Sequence, residues 1–355
     1  MDNEGANRQL VFADRLMGLS NSASLALMVS IGHRTGLFDT MASLPPATSE
    51  EIARNATLNE RYVREWLAAM ATGRIVDYDP LAMTFVLPPE HAAYLTRAAG
   101  TDNAAVGFQL LGSFGAVEDQ IIECFRHGGG VEGSVFPRYE AIRAEATWAR
   151  LDASLLGETL LLVPGLPNLL RKGIEVADVG CGYGHALNIM AEAFPASRFV
   201  GWDTSGTTLS AARTEALRKQ LTNVRFEQRD ATTLEERGRF DLITSFEAVH
   251  DHPRPDVVLE AIARALRQDG TYLCVEVGAS SNLADNLAIP WAPAIYAASC
   301  VHCVAVSLAS GGAGLGAMWG QQKAREMLVE AGFSSVVVRR VASDPLNDYY
   351  LATKG

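Results

Sequence analysis

Ile174-Glu175-Val176-Ala177-Asp178-Val179-Gly180-Cys181-Gly182-Tyr183-Gly184 decides the fold. A β-branched run closes on an acidic residue and a glycine-rich turn, and the turn opens a helix predicted from Ala186 to Phe194. Glycine lets a ligand come close to the backbone, and a helix N-terminus offers that ligand unpaired N–H groups. A dinucleotide fingerprint would place its third glycine at 185, where this chain has His185, so the spacing is Asp-x-Gly-x-Gly-x-Gly and departs from NAD binding.

The pattern of an acidic residue at a strand tip then recurs. A second strand, Arg198 to Trp202, ends in Asp203, where a carboxylate can take both hydroxyls of a ribose, and Thr204 falls beside the attached base. A third, Val224 to Glu227, runs into Arg229-Asp230-Ala231. There the carboxylate can accept from an adenine amino group while the next backbone N–H donates to the ring. Any one of these aspartates could merely cap a turn; three successive strand tips of the same kind point to one nucleoside ligand.

Working outward, 355 residues with 48% hydrophobic and 20% charged side chains suffice for two domains with buried cores. A formal net charge of -11 argues against nucleic acid or anionic lipid as partners and favours a small molecule. Five cysteines, an odd number spread along the chain, do not make a disulfide framework, and a reducing cytoplasm is the expected home. The opening Met-Asp-Asn-Glu-Gly has neither the basic nor the apolar part of a secretory leader. Ala288 to Leu308 is uncharged but holds Pro290, Pro293 and His302, and it reads as buried protein interior instead of a membrane span.

No lysine precedes Lys172, and Pro164, Gly165 and Pro167 mark a boundary near residue 165, after which strands and helices alternate as in successive βα units. Residues 1–100 read as a winged helix. Thr48 and Glu51 stand at capping-box spacing before one short helix, and Asn59 caps a second whose apolar face is Val63, Trp66, Leu67 and Met70. Gly73 ends that helix, and Arg74–Tyr78 with Met83–Leu87 form the wing hairpin. Residues 101–165 read as a helical linker, with helices from Asn103 to His127 and from Arg138 to Leu162 joined by a mobile Gly128-Gly129-Gly130 connection. The recognition-position helix carries Glu60, Arg61, Arg64 and Glu65, whose charges cancel. Dimerisation or substrate capping is therefore the expected role of this domain, and DNA binding the remote one.

From Ile174 to Gly355 the chain resembles the class I S-adenosylmethionine-dependent methyltransferases, and within them the bacterial, actinobacterial-like small-molecule O-methyltransferases with an N-terminal winged helix. The resemblance rests on the Asp178–Gly184 loop, Asp203, Asp230-Ala231, Phe240-Asp241-Leu242-Ile243 running through Ser245 to His250-Asp251, and Ala331-Gly332-Phe333 ahead of Val336-Val337-Val338. It implies an α/β fold: a Rossmann-like, mostly parallel, seven-stranded methyltransferase sheet over residues 166–355, with S-adenosylmethionine as cofactor, S-adenosylhomocysteine as product, and a homodimer formed through the N-terminal part. Asp178, Gly180, Gly182, Gly184, Asp203, Thr204, Asp230, Ala231, Ser245 and Phe246 are the cofactor-binding residues expected on this basis.

Methyl transfer is an in-line displacement at a cationic sulfonium, so the protein must align the reactants and exclude water; a neutral hydroxyl acceptor also needs a base. His250 follows the fourth strand, Phe240 to Phe246, and titrates in the right range. The resemblance makes it the His of a His-Asp-Trp sequence, although the third position here is His252, and makes Glu276, at the end of the Thr271–Val275 strand, its hydrogen-bond partner. The family's second helper Glu has no counterpart in Ala317-Met318-Trp319-Gly320-Gln321. Methylation of nitrogen or carbon, or another reaction of the same cofactor, stays open beside O-methylation.

Between 280 and 320 lies an insertion of the kind that walls the acceptor pocket, with Trp291, Tyr296, His302, Met318 and Trp319 as the substrate-side residues and core packing as the alternative for each. Phe136 and Tyr139 could close over the site as a lid. Cys300, His302 and Cys303 lie close in sequence, but on one α-helix Cys300 and Cys303 share a face from which His302 points away, so no metal is expected. Gly311-Gly312-Ala313-Gly314 reads as a flexible loop.

Overall fold

Thr48 opens the first short helix of the N-terminal unit with a full capping box: its side chain accepts from the Glu51 N–H while Glu51 accepts from the Thr48 N–H. The computed structural model describes residues 3–354, whose contacts divide into two units: the chain up to Ala116 together with Pro137–Ala149, and Val117–Phe136 together with the chain from Arg150 onward.

In the first unit the helices Ser49–Ala56 and Glu60–Thr72 form as expected, the second capped by Asn59. Leu67 and Met70 are fully buried, and Trp66 meets Phe38 edge to face at 5.2 Å while donating from Nε1 to the Met28 carbonyl at 2.8 Å. A long helix, Asn3–Thr35, precedes them. The wing is shorter than predicted. β1 (Asp77–Asp79) and β2 (Thr84–Val86) pair antiparallel over three residues each, and Asp79 Oδ1 closes the turn by accepting from Leu81 and Ala82.

Two expected long helices are corrected. Asn103 to His127 breaks into Ala105–Phe108, Leu110–Gly115 and Glu118–His127, a stretch in which Gly107, Gly112 and Gly115 each weaken helix. The next helix runs Tyr139–Ser154, then widens into a π turn at Leu155–Thr159 and tightens to a 3₁₀ turn at Leu160–Leu162.

The second unit is built on a seven-stranded sheet. Its strands are β3 (Glu175–Val179), β4 (Arg198–Asp203), β5 (Val224–Gln228), β6 (Phe240–Phe246), β7 (Leu266–Val277), β8 (Ser335–Val341) and β9 (Asp344–Thr353). They lie in the order β5-β4-β3-β6-β7-β9-β8, parallel except for β9, which runs antiparallel to both neighbours. This is the Rossmann-like, mostly parallel, seven-stranded sheet that the family resemblance implies. Helices cover both faces, so the central strands are buried on either side: Val176, Ala177, Val179, Leu242 and Ile243 are fully inaccessible, each large side chain contributing about 1.5–3 kcal/mol of burial. The strand order reverses between β3 and β6, and the adjacent carboxyl ends of these two strands form the crevice where ligands bind in such sheets.

Ala292–Ala309 is continuous helix with a π turn at Ser299–Cys303. It is long and apolar enough to cross a membrane by composition, and a third of it, 33%, is buried. The expectation of a wholly buried segment is thus met on one face only. Gly130 lies directly against this helix: a Cβ there would come within 2.1 Å of the Ala305 carbonyl oxygen and 2.2 Å of the Ala309 nitrogen. Val131 N–H also donates to the Ala305 carbonyl at 3.1 Å, so the end of the triple-glycine run is packed, not merely a mobile connection. The Gly311–Gly314 loop is tied as well, since Ala313 N–H donates to the Pro253 carbonyl at 2.9 Å and Gly314 N–H to Ser307 Oγ at 3.1 Å.

Candidate active site

The loop after β3 owes its shape to three glycines with positive φ, Gly180 (70°), Gly182 (52°) and Gly184 (66°), a region that penalises side chains. Each has its own reason to lack a Cβ. At Gly184 a Cβ would strike the Phe226 ring at 2.3 Å, so glycine lets the following helix, His185–Ala193, seat on the sheet. At Gly180 it would strike Ala248 Cβ at 2.6 Å, which brings the loop against the turn that carries His250. At Gly182 nothing lies within 4 Å, so the backbone there faces open space.

Asp203, at the tip of β4, fixes this loop by accepting from the Gly182 N–H with Oδ2 and from the Ser205 N–H with Oδ1, both at 2.8 Å. Asp230 accepts from the Thr232 N–H and hydroxyl, each at 2.8 Å, and so caps the short turn that begins at the buried Ala231. Both aspartates therefore have turn-capping work, and each carboxylate retains lone pairs for further donors. Thr204 is exposed beside Asp203, and its carbonyl accepts from Gln228 Nε2 at 2.9 Å.

Asp178 sits inside the sheet, accepting from the Thr244 hydroxyl at 2.7 Å. Burial, opposed by that hydrogen bond and aided by the charge of Asp203, pushes its carboxyl up to about 7. Ser245 is turned into the core, where its hydroxyl pairs with the Tyr272 hydroxyl at 2.6 Å, so its side chain does not face the crevice. Phe246 is half-buried against the core on the opposite side of the strand.

The chain leaves β6 through Glu247, held at a positive φ of 51°, and turns at once into the 3₁₀ segment Val249–Asp251. Glu247 pairs with Arg150 at 2.5 Å and accepts from Asn347 Nδ2 at 3.1 Å, contacts that hold the strained residue in place. The turn puts His250 over the end of β7. There Glu276, fully buried, accepts from His250 Nδ1 with Oε2 and from the Val249 N–H with Oε1 at 3.0 Å. A carboxylate only accepts, so the imidazole carries a proton on Nδ1, and its Nε2 faces Asp251 at 3.5 Å and Cys303. Burial works against the imidazolium, but Glu276 and Asp251, with Cys303 alongside, outweigh it and hold the pKa of His250 well above the ordinary value. His252 is half-buried and moves the other way, its pKa lowered chiefly by desolvation.

The sequence-derived substrate residues divide. Trp291, Tyr296 and Met318 join Cys303 and Val277 in one apolar cluster, next in the chain to Glu276. Tyr296 also accepts from Asn286 Nδ2 at 2.9 Å through its hydroxyl. Buried His302 meets Phe136 edge to face at 4.8 Å. Trp319 instead packs in the main core under the sheet, and Tyr139 falls in the N-terminal unit beside Phe114 at 6.3 Å.

Sequence reasoning missed Cys303. On a regular helix it would share a face with Cys300; in the structure Cys300 is exposed while His302 and Cys303 are both buried, because the smaller rotation per residue in the π turn separates Cys300 from Cys303 and brings Cys303 toward the face of His302. His250, Asp251 and Cys303 thereby bring a nitrogen, a carboxylate oxygen and a sulfur within 4.8 Å of one another. No local signal links residues so far apart in sequence.

Residues 23–97 match the family model of the Rv2258c-like winged HTH domain, and residues 170–332 match that of a methyltransferase domain. Among curated proteins the chain is 36% identical over 119 residues to trans-aconitate 2-methyltransferase of Deinococcus radiodurans, covering 33% of this chain and 42% of that one. It is 32% identical over 103 residues to fatty-acid O-methyltransferase of Mycolicibacterium smegmatis, covering 29% of this chain and 36% of that one. The matched part thus spans about two fifths of those relatives. Two solved structures match over nearly the whole length: human N-acetylserotonin methyltransferase in complex with SAM (TM-score 0.69, 16% identity, 97% of this chain and 98% of that one) and PigF with SAH (TM-score 0.72, 17% identity, 100% of both). At those identities the likeness shows the fold. The chain carries a winged helix-turn-helix domain at residues 23–97 followed by a methyltransferase domain at residues 170–332.

Proposed function

We propose that the protein is an S-adenosylmethionine-dependent methyltransferase that methylates a hydroxyl of a small apolar or aromatic acceptor, with His250 as general base. The observation that carries this reading is the buried His250–Glu276 pair, set on a turn whose Ala248 touches the glycine loop at Gly180.

The crevice fits the cofactor. Gly182 faces open space, Asp203 and Asp230 keep free lone pairs at adjacent strand tips, and the helix N-terminus at His185 lies beyond the loop. When bound, S-adenosylmethionine supplies a methyl group on a positively charged sulfur. The chain's own work is to hold the reactants and to move one proton. Nε2 of His250 takes the proton of the acceptor hydroxyl, and Glu276, fixed by the Val249 N–H, keeps the ring oriented and offsets the charge that the ring acquires. The cluster of Trp291, Tyr296 and Met318 supplies apolar surface of the kind that binds such an acceptor and keeps water out. The names of the relatives, which include a fatty-acid O-methyltransferase, agree with a small acceptor.

The assembly we propose is a homodimer through the Asn3–Thr35 helix, which exposes Leu10, Val11, Phe12, Leu16, Met17 and Leu19. Nucleic acid is not a partner in this reading: Arg61 pairs with Glu65 at 2.6 Å and Arg64 with Glu60 at 2.9 Å, so the recognition-position helix has spent its positive charge. The five cysteines are free thiols, consistent with a reducing cytoplasm.

The test is calorimetry with S-adenosylhomocysteine, followed by transfer of labelled methyl from S-adenosylmethionine to a library of phenols and carboxylates. Binding heat and label on a hydroxyl oxygen are expected. Absence of any heat from a folded sample overturns the cofactor assignment, and label on nitrogen or carbon overturns the choice of atom.

A further inference from the structure

We propose that His250, Asp251 and Cys303 form a three-ligand site for zinc or a similarly thiophilic divalent ion, and that its occupancy blocks the base and inhibits methyl transfer. Glu276 fixes the Nδ1–H tautomer of His250, so the Nε2 lone pair points away from it. Asp251 Oδ1 stands 3.5 Å from that nitrogen, is buried, and has no hydrogen-bond partner among the described residues. Cys303 Sγ completes the group, with all three donor atoms within 4.8 Å of one another. Once the thiol and the imidazole give up the protons they share with Asp251, the three groups converge as electron-pair donors, an arrangement that a cation completes.

The donor set also selects the cation. Imidazole, carboxylate and thiolate around one point suit a borderline-soft ion, and magnesium or calcium would not take the sulfur. Zinc bonds of about 2.0–2.3 Å in a tetrahedron place ligand atoms about 3.5 Å apart, the separation already seen between His250 and Asp251. Glu276 behind His250 reproduces the carboxylate–histidine–metal relay that orients ligating imidazoles. Three protein ligands leave a fourth position open. The ion can enter past Asp251, whose side chain is 33% exposed, whereas those of the other two ligands are almost wholly buried.

Binding takes the thiolate and the neutral imidazole, and their protons go to solvent. The Nε2 lone pair is then in a metal bond and cannot accept from a hydroxyl. This inhibitory half rests on His250 being the base; the binding half does not.

Cobalt(II) is the probe for binding. Titration into the full-length, metal-free chain is expected to give a thiolate-to-cobalt charge-transfer band with tetrahedral ligand-field absorption, and zinc is expected to displace it in a one-to-one calorimetric titration. Cys303→Ser, which keeps the side-chain size, should lose the charge-transfer band and weaken zinc by at least about tenfold; Glu276→Gln should weaken zinc by about 10–100-fold while keeping the band. Matched melting curves show that the variants are folded. A wild-type cobalt complex without the thiolate band, or equal zinc affinity in Cys303→Ser, overturns the site. Turnover should fall on zinc saturation and return with a chelator, and unchanged turnover at saturation overturns the inhibition. Should the cobalt signature appear while no acceptor is ever methylated, the metal site stands and the methyltransfer reading falls.

Discussion

Glu276 receives a hydrogen bond from His250 Nδ1 on one carboxylate oxygen and from the backbone of Val249 on the other, so a single buried acid fixes both the ring and the turn that carries it. That double role separates two variants. His250→Ala removes the base and should lower kcat by about 10²–10⁴-fold, with S-adenosylhomocysteine affinity unchanged in calorimetry. Glu276→Gln keeps the size but weakens support for the imidazolium, so the acid limb of the kcat profile, where His250 becomes protonated, should shift to lower pH along with a smaller loss of rate. Retention of full activity in the alanine variant would exclude His250 as the base.

The long first helix makes a separate prediction. Phe12 and Leu16 are both exposed in the single chain, and burying such side chains against a second copy contributes about 1.5–3 kcal/mol each. Phe12→Glu with Leu16→Glu should convert a dimer to a monomer in sedimentation velocity without lowering the melting transition of the methyltransferase domain. A wild-type chain that sediments as a monomer at high concentration would refute the dimer.

Much of this was legible in the sequence because it is local. The Thr48–Glu51 box, the Asn59 cap and the turns at Asp203 and Asp230 depend on residues a few positions apart, and they appear in the structure where their spacing placed them, whereas Asp178 is drawn into the sheet against Thr244. The pairing of His250 with Glu276 was reached through the family resemblance, since 26 positions separate them. What stayed hidden depends on packing between distant segments. A π turn cannot be read from Ser299–Cys303, and without it the faces of Cys300, His302 and Cys303 come out wrong. Ser245 looks like a cofactor residue from its place at a strand end, yet the alternation of side chains along β6 turns it toward Tyr272. Trp319 has the chemistry of a pocket residue, but it packs in the core.

Asp178 gives the structure a pH dependence whose sign is fixed. Its carboxyl rises from an ordinary value of 3.8 to about 7 in the folded chain, mainly through burial. The folded state therefore holds the proton more tightly than the unfolded state. The resulting stability is fully present below about pH 4 and is lost as pH rises through about 7, a swing on the order of 4 kcal/mol. Asp178→Asn keeps an acceptor for the Thr244 hydroxyl and cannot ionise. Its melting temperature relative to wild type should climb between about pH 5 and pH 7 and level off above that, and a flat difference from pH 5 to pH 7 would show that the carboxylate is not penalised.

Gly130 offers the sharpest test of the insertion helix as a rigid wall. Its missing Cβ would lie 2.1 Å from the Ala305 oxygen and 2.2 Å from the Ala309 nitrogen, both backbone atoms that no side-chain rotation can clear. Gly130→Ala must therefore push the helix and the 128–131 segment apart, which costs about 1–3 kcal/mol by the usual penalty for overpacking. Ala305 follows Cys303 by two residues, so the same push moves the thiol relative to His250. Urea unfolding should show the loss of stability. Gly129→Ala makes the contrast: φ there is 83°, and a Cβ would meet nothing within 4 Å, so its cost is confined to backbone strain and leaves the helix in place. Cobalt titration of the two variants should separate them, with the thiolate band weakened in Gly130→Ala and retained in Gly129→Ala. Equal stability of Gly130→Ala and wild type would mean that the helix yields freely at Ala305, and the wall would then be soft where the acceptor is expected to bind.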